Sequence, residues 1–121
     1  ERLENISKQS IVHFTQRRVS EKKMLDEIDK KKSSTYIIIL EENGKNLNTK
    51  QFKDLIFNSS AKKIIFFIGG TNGFKKDILE KSNLTISLSK MTLTHSFAAI
   101  ILSEQIYRCA TMKLGHPYHR K

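Results

Sequence analysis

The sequence has 121 residues, of which 38% are hydrophobic and 28% charged, with one proline and five glycines. This length and composition fit a single globular domain, residues 1–121, and exclude a collagen-like or disordered chain. A single cysteine excludes a disulfide scaffold and a cysteine-based zinc site, and it suits the reducing cytoplasm. No apolar run approaches the roughly 18–20 residues of a membrane span. Because the sequence begins at Glu1 without an apolar leader, we expect an N-terminally truncated domain and not a secreted protein.

The charge favours a polyanionic partner. Lysine and arginine number 22 against 12 acids, a net charge of +10, which suits RNA, DNA or an anionic membrane surface. A lysine-rich composition on solvated helix faces is the alternative. Residues 108–121 contain four cations, two histidines and no acid, whereas acids interrupt the lysines of residues 22–32. The C-terminal end is therefore the better candidate for a phosphate-contacting surface.

The hydrophobic pattern predicts strands and helices in alternation. Strands are expected at residues 11–15, 36–40, 64–68 and 84–88, and helices at residues 20–32, after a cap at Asn48 or Thr49, at 75–82 and at 95–114. Residues 41–44 are expected to form a turn. Strands that are apolar at nearly every position are covered on both faces, so the predicted fold is α/β with a mainly parallel sheet. Such sheets bind ligands beyond the carboxyl ends of their strands, here after Leu40, Ile68 and Leu88.

The first candidate loop, residues 69–73, is rich in glycine. Glycine permits close approach of the backbone to a ligand. The spacing is not that of a dinucleotide-binding loop, no acid follows near residues 88–93, and no phosphate-loop lysine is present. A tight turn from strand to helix is the structural alternative.

The second candidate loop, residues 88–95, contains neither glycine nor proline and is too long for a simple turn. Its backbone amides and carbonyls could read the edge of an adenine. The alternative is an N-terminal capping segment for the last helix, with Thr94 as the cap.

The last helix is apolar all round over residues 97–102, a pattern typical of burial on all sides, so one face is expected to meet a second subunit. Glu104 and Arg108 have the spacing of a helical ion pair. Arg108 is either a plain surface partner or a guanidinium held to meet a phosphate or a base. Cys109 is expected to lie in the core.

The C-terminal segment combines groups that suit RNA. Tyr118 could stack on a base, beside His119 and Arg120. His116 and His119 are three residues apart, but no carboxylate or cysteine accompanies them, so no metal site is expected. His13 and His95 are interpreted as structural.

Four segments, YIIILEENGKNLNTKQFKDLI, FFIGGTNGF, SLSKMTLTHSFAAIILSEQIYR and GHPYHRK, together resemble the ribosomal RNA large-subunit methyltransferase H family of the SPOUT superfamily. The resemblance covers residues 35–121, and residues 1–34 align loosely. The family's usual first strand would precede this sequence. Thr94 replaces a common proline, and both residue types suit a helix start.

The resemblance implies an α/β knot, a deep trefoil, and a homodimer with its site at the interface. It also implies that S-adenosylmethionine is bound in the knotted loops. By position, the cofactor contacts would be Leu40, Gly69, Gly70, Leu88, Ser89, Lys90, Met91, Thr92 and Leu93.

The substrate implied by the resemblance is a pseudouridine of large-subunit ribosomal RNA, methylated at N3 on assembled ribosomes in the cytoplasm, with no DNA or membrane partner. The sulfonium methyl is already activated, so the protein must align the reactants and help to remove the N3 proton, an effect of about 10²–10⁴. We assign His119 as the base or orienting group and Tyr118 as the stacking group. Arg108 and Arg120 would stabilise developing charge or hold phosphate. His95 is the weaker alternative for the proton step.

Two other interpretations stay open on the sequence. One is a non-catalytic RNA- or ribosome-binding α/β module, in which the glycine-rich turn is only structural. The other is a different nucleotide-binding enzyme, for which the sequence offers no dedicated phosphate loop. Titration with S-adenosylmethionine separates the first from a methyltransferase.

Overall fold

A computed structural model describes residues 20–30, 33–58, 61–69 and 74–115. Helices and strands alternate along them: α1 (Glu21–Asp29), β1 (Thr35–Asn46), α2 (Thr49–Phe57), β2 (Lys63–Ile68), α3 (Lys76–Lys81), β3 (Leu84–Ser87) and α4 (His95–Lys113). The predicted order is confirmed from residue 20 onward, and the strand expected at residues 11–15 lies outside the described residues. None of the described helices is long and apolar enough to cross a membrane.

The three strands form one parallel sheet with the order β2-β1-β3. The central strand β1 is covered on both faces, and Ile37, Ile38 and Ile39 are fully buried. Ile38 packs with residues of α2 and α4, whereas Ile37 and Ile39 pack with residues of α1 and α3. This alternation follows from the two-residue period of a strand, and it confirms the α/β class and the parallel sheet. The trefoil knot stays a prediction.

Side-chain caps set the starts of three helices. The Ser20 hydroxyl accepts the Lys23 N–H at 3.2 Å, and the Thr94 hydroxyl accepts the Phe97 N–H at 3.2 Å. Asn48 caps α2 in a reciprocal capping box with Gln51, with both hydrogen bonds at 2.8 Å, so the N-cap of α2 is Asn48 and not Thr49.

The helix predicted for residues 20–32 ends earlier than expected, and that boundary was wrong. The α1 helix stops at Asp29, and the N–H of Lys30 bonds back to the carbonyls of Asp26 and Ile28. This N–H, shared between two carbonyl groups, closes the last turn of the helix. A run of lysines contains no residue that signals such an end in the sequence.

Residues 41–44, predicted as a turn after the strand, instead lie within β1. Both Leu40 and Lys45 pair with Ile86, so residues 41–44 form a bulge and β1 resumes beyond it. At Gly44 an added Cβ would lie 2.7 Å from the carbonyl carbon of Ile86 and 2.8 Å from that of Thr85. Only glycine lets the chain return to β3 at this distance.

Candidate cofactor and substrate site

The carboxyl ends of all three strands meet at one edge of the sheet. Leu40 pairs with Ile68 on one side and with Ile86 on the other, so Gly69 and Leu88 follow directly at the same edge. The structure therefore brings together the loops that the sequence assigned to the cofactor. The side chain of Leu40 is 7% exposed and belongs to the core. Gly70 lies outside the described residues.

The loop of residues 88–94 holds its shape through its own hydrogen bonds. The Ser87 hydroxyl donates to the carbonyl of Ser89 at 2.7 Å, and the Ser89 hydroxyl accepts the N–H of Met91 at 2.9 Å. Within the part of the chain that the structure describes, the N–H groups of Lys90, Thr92 and Leu93 make no hydrogen bond. Unpaired backbone donors on an ordered turn fit the recognition of a purine edge without charged ligands.

Glu42 reaches this loop from the β1 bulge. Its carboxylate accepts a hydrogen bond from the Thr92 hydroxyl at 2.7 Å, although the two residues are 50 positions apart. A carboxylate in this place can accept hydrogen bonds from ribose hydroxyls, a role that acids fill in other nucleotide sites. Glu42 was not predicted from the sequence, because an acid that binds a ribose was expected near residue 90, where there is none. The available signal was an acid directly beyond a buried parallel strand.

Gly69 and Phe74 bring the two ends of the glycine-rich loop together. A Cβ at Gly69 would lie 2.8 Å from the Cε2 atom of the Phe74 ring, closer than real side chains allow. Phe74 in turn packs on the core of α1 and α3. The close approach explains why glycine stands here, while residues 70–73 lie outside the described residues.

Arg108 is held by its ion pair with Glu104. Its Nη2 donates to Oε2 of Glu104 at 2.8 Å and its Nε to Oε1 at 3.4 Å, and the two side chains are 25% and 36% exposed. The predicted ion pair is confirmed, and it is less exposed than the other helical pairs among the described residues.

One face of α4 is apolar and exposed. Phe97 is 61% exposed and Ile100 62%, and Met91 in the preceding loop is 77% exposed. The opposite face, with Ala98 and Leu102, is buried. Only one face of α4 packs on α2 and the sheet, so the predicted contact of its other face with a second subunit stays a prediction.

Cys109 lies in the core, as predicted, with no exposed surface. Burial raises the pKa of its thiol from 9.0 to about 11, so the sulfur is neutral at physiological pH and is not a nucleophile. His95 begins α4 and is exposed. No group of three potential metal ligands occurs among the described residues. Tyr118, His119 and Arg120 lie outside them.

Two surface depressions lie at the opposite, amino-terminal edge of the sheet. Their volumes are about 380 and 470 Å³, and Thr35, the first residue of β1, lines both. They are remote from the loops described above. Because parallel sheets bind ligands at their carboxyl edge, we place the site there and not in these depressions.

Comparison with known proteins identifies the class. The family described as "Predicted SPOUT methyltransferase" matches residues 1–119. The chain therefore belongs to the SPOUT methyltransferase family, which confirms the resemblance seen in the sequence.

The similar curated proteins carry the name ribosomal RNA large subunit methyltransferase H. The protein from Prochlorococcus marinus strain MIT 9301 is 46% identical over 88 residues, covering 73% of this chain and 64% of its own length. That from Campylobacter fetus is 47% identical over 85 residues, covering 70% and 56%. That from Christiangramia forsetii is 36% identical over 92 residues, covering 74% and 59%. The matched region spans roughly three-fifths of the length of these relatives.

Proposed function

We propose that the protein is an S-adenosylmethionine-dependent methyltransferase that methylates N3 of a pseudouridine in large-subunit ribosomal RNA. The observation that carries the proposal is the convergence of Leu40, Gly69 and the loop of residues 88–93 at one edge of the sheet. Family membership supplies the reaction class, and the names of the relatives suggest the RNA.

The residues at the carboxyl edge fit this cofactor. The N–H groups of Lys90, Thr92 and Leu93, which make no hydrogen bond to a described residue, would meet the adenine, and the carboxylate of Glu42 would meet the ribose hydroxyls. Gly69 follows β2 at the same edge, where its backbone would contact the ligand directly. When bound, S-adenosylmethionine supplies an activated methyl group. We also propose that residues 1–121 form one domain and that this domain contains the trefoil knot.

The substrate side of the site comes from α4 and the C-terminal segment. His119 would accept or orient the N3 proton, and Tyr118 would stack on the base. Arg108 and Arg120 would stabilise the negative charge that develops as the proton leaves. The net charge of +10 would draw the protein to ribosomal RNA in the cytoplasm.

The exposed apolar face of α4 supports a homodimer. Met91 lies within the candidate cofactor loop, and Phe97 and Ile100 lie on the helix that follows the loop; all three side chains are exposed. Contact through this surface would place a second subunit beside the cofactor edge. Apolar patches of this kind are typical of association sites.

Replacing Ile100 with glutamate is expected to convert the dimer to a monomer, because a carboxylate would have to be desolvated at the apolar contact. Ile100 is 62% exposed in the single chain, so the fold should tolerate the change. Light scattering after gel filtration measures the mass. Asn58→Asp, which adds the same charge at the exposed end of α2, should remain dimeric. An unchanged mass for Ile100→Glu would contradict the assignment of this face.

The reaction is tested with ribosomes that lack the modification and with S-adenosylmethionine labelled in its methyl group. We expect label on one pseudouridine, mapped by digestion and mass spectrometry. Ribosome binding without binding of S-adenosylmethionine would instead identify the non-catalytic module. Binding of a phosphorylated nucleotide in place of S-adenosylmethionine would identify the other class of enzyme.

A further inference from the structure

A continuous chain of hydrogen bonds connects Arg108 to the start of α2. The Thr49 hydroxyl donates to Oε1 of Gln105 at 2.9 Å, and Nε2 of Gln105 donates to Oε1 of Glu104 at 2.9 Å. The two oxygens of Glu104 then accept Nε and Nη2 of Arg108, at 3.4 and 2.8 Å. Both Oε1 and Nε2 of Gln105 therefore make hydrogen bonds, and these bonds define the orientation of its amide group.

The geometry at Glu104 constrains the plane of the guanidinium. A carboxylate that accepts two roughly parallel N–H bonds fixes direction as well as distance. The other helical ion pairs of the described residues are different. Lys76 and Glu80 are 3.9 Å apart with side chains 89% and 65% exposed, a contact with little orienting power.

This relay of hydrogen bonds, from Arg108 through Glu104 and Gln105 to Thr49, ends at the carboxyl edge of the sheet, where the candidate cofactor loops meet. Thr49 is the first residue of α2, three positions after β1 ends. The Cys109 thiol also approaches the carbonyl of Thr49, at 3.9 Å, one helical turn beyond Gln105. Ile106 on the same stretch is buried in the core between the helices and the sheet. This turn of α4 is thus anchored to the segment that leaves the carboxyl end of β1.

We propose that Glu104 and Gln105 are positioning residues that hold the guanidinium of Arg108 in register with the bound cofactor, using Thr49 as the fixed point. The role rests on the proposed function, in which Arg108 acts on the RNA substrate. An arginine side chain has large rotamer entropy, and a guanidinium oriented in advance does not lose it during the reaction. The relay therefore contributes to the rate of methyl transfer and not to affinity for RNA.

The test compares variants that alter one bond of the relay each. Glu104→Gln keeps the shape but removes the charge, and Gln105→Glu places a second carboxylate against the first. Thr49→Val removes the hydroxyl that Thr49→Ser retains. Glu80→Gln is the matched control, since Glu80 is also in a helical pair but remote from Arg108.

Two readouts are measured on each folded variant. Nitrogen-15 NMR reports the rotation about the Nε–Cζ bond of Arg108, whose signal is assigned by its loss in Arg108→Lys. We expect slow rotation in the wild type, Thr49→Ser and Glu80→Gln, and fast rotation in Glu104→Gln and Gln105→Glu. Single-turnover methyl transfer to ribosomes should fall about 10- to 30-fold in the last two, and less in Thr49→Val, with KM for the ribosome within about twofold.

The outcomes separate the relay from the proposed function. Unchanged rotation in both Glu104→Gln and Gln105→Glu would overturn the relay, as would fast rotation with an unchanged rate. A fall in rate that appears only as a higher KM would also overturn it, since that marks a binding residue. A wild type that shows slow rotation but no methyl transfer would refute the proposed function, and with it the role of the relay in the reaction.

Discussion

Replacing Gly44 with alanine is expected to lower the free energy of unfolding by about 2–3 kcal/mol, the upper part of the range of about 1–3 kcal/mol for overpacking a tight site. The added Cβ would lie 2.7 Å from the carbonyl carbon and 2.8 Å from the nitrogen of Ile86. These atoms belong to the backbone of β3, so no side chain can rotate away. Either the bulge or the pairing of β1 with β3 must shift.

Urea denaturation followed by circular dichroism measures the loss. The matched control is Gly115→Ala, where no atom lies within 4 Å of the added Cβ but φ is +72°. Gly115 follows the end of α4. Its replacement by alanine carries only the backbone cost of a residue in the left-handed region, about 1–2 kcal/mol. A loss for Gly44→Ala below that of the control would show that the bulge adjusts freely.

Gly44→Ala should also weaken binding at the cofactor site. Glu42 lies in the bulge and bonds to Thr92, so a displaced bulge moves the carboxylate away from the loop of residues 88–94. At a temperature where Gly44→Ala is folded, we expect affinity for S-adenosylmethionine to fall about tenfold, equivalent to one charge-assisted hydrogen bond. Calorimetric titration measures it.

Replacing Arg108 with alanine is expected to reduce single-turnover methyl transfer by about 10²–10³, the usual effect of removing one preorganised group that stabilises developing charge. Affinity for S-adenosylmethionine should stay within about twofold, because the cofactor loops do not depend on the guanidinium. The log–log salt dependence of RNA binding should become shallower by about 0.7–0.9 if Arg108 also contacts a phosphate.

Lys81→Ala is the control for Arg108→Ala. Lys81 also pairs with a carboxylate, at 3.1 Å from Asp29, but it lies on α3 on the other face of the sheet. Removing this cation should leave the rate unchanged, because it lies away from the carboxyl edge. A wild-type rate in Arg108→Ala would exclude the guanidinium from the reaction.

The elements that the sequence predicted best are those with strong local signals. The α4 helix runs over His95–Lys113, against a prediction of residues 95–114, because Thr94 caps its start and no breaker interrupts it. The wholly apolar runs in β1 and β2 likewise predicted buried parallel strands. A period and a cap act over a few residues, so a local pattern is sufficient to predict them.

The bulge was mispredicted because its composition is that of a turn. Residues 41–44 contain acids, an asparagine and a glycine, and such a segment can leave a sheet or return to it. The return is decided by Ile86, which pairs with both Leu40 and Lys45. That partner lies more than 40 positions away in the sequence.

By itself, the sequence determined the α/β class, the order of elements, the family and which loops follow the buried strands, since these depend on periodicity, capping and motif letters. Only the tertiary structure decided that Glu42 meets Thr92 and that Gln105 meets Thr49, across separations of 50 and 56 residues. Such contacts depend on how the helices dock on the sheet. Packing sums many weak, distant interactions, and no local pattern in the chain encodes their outcome.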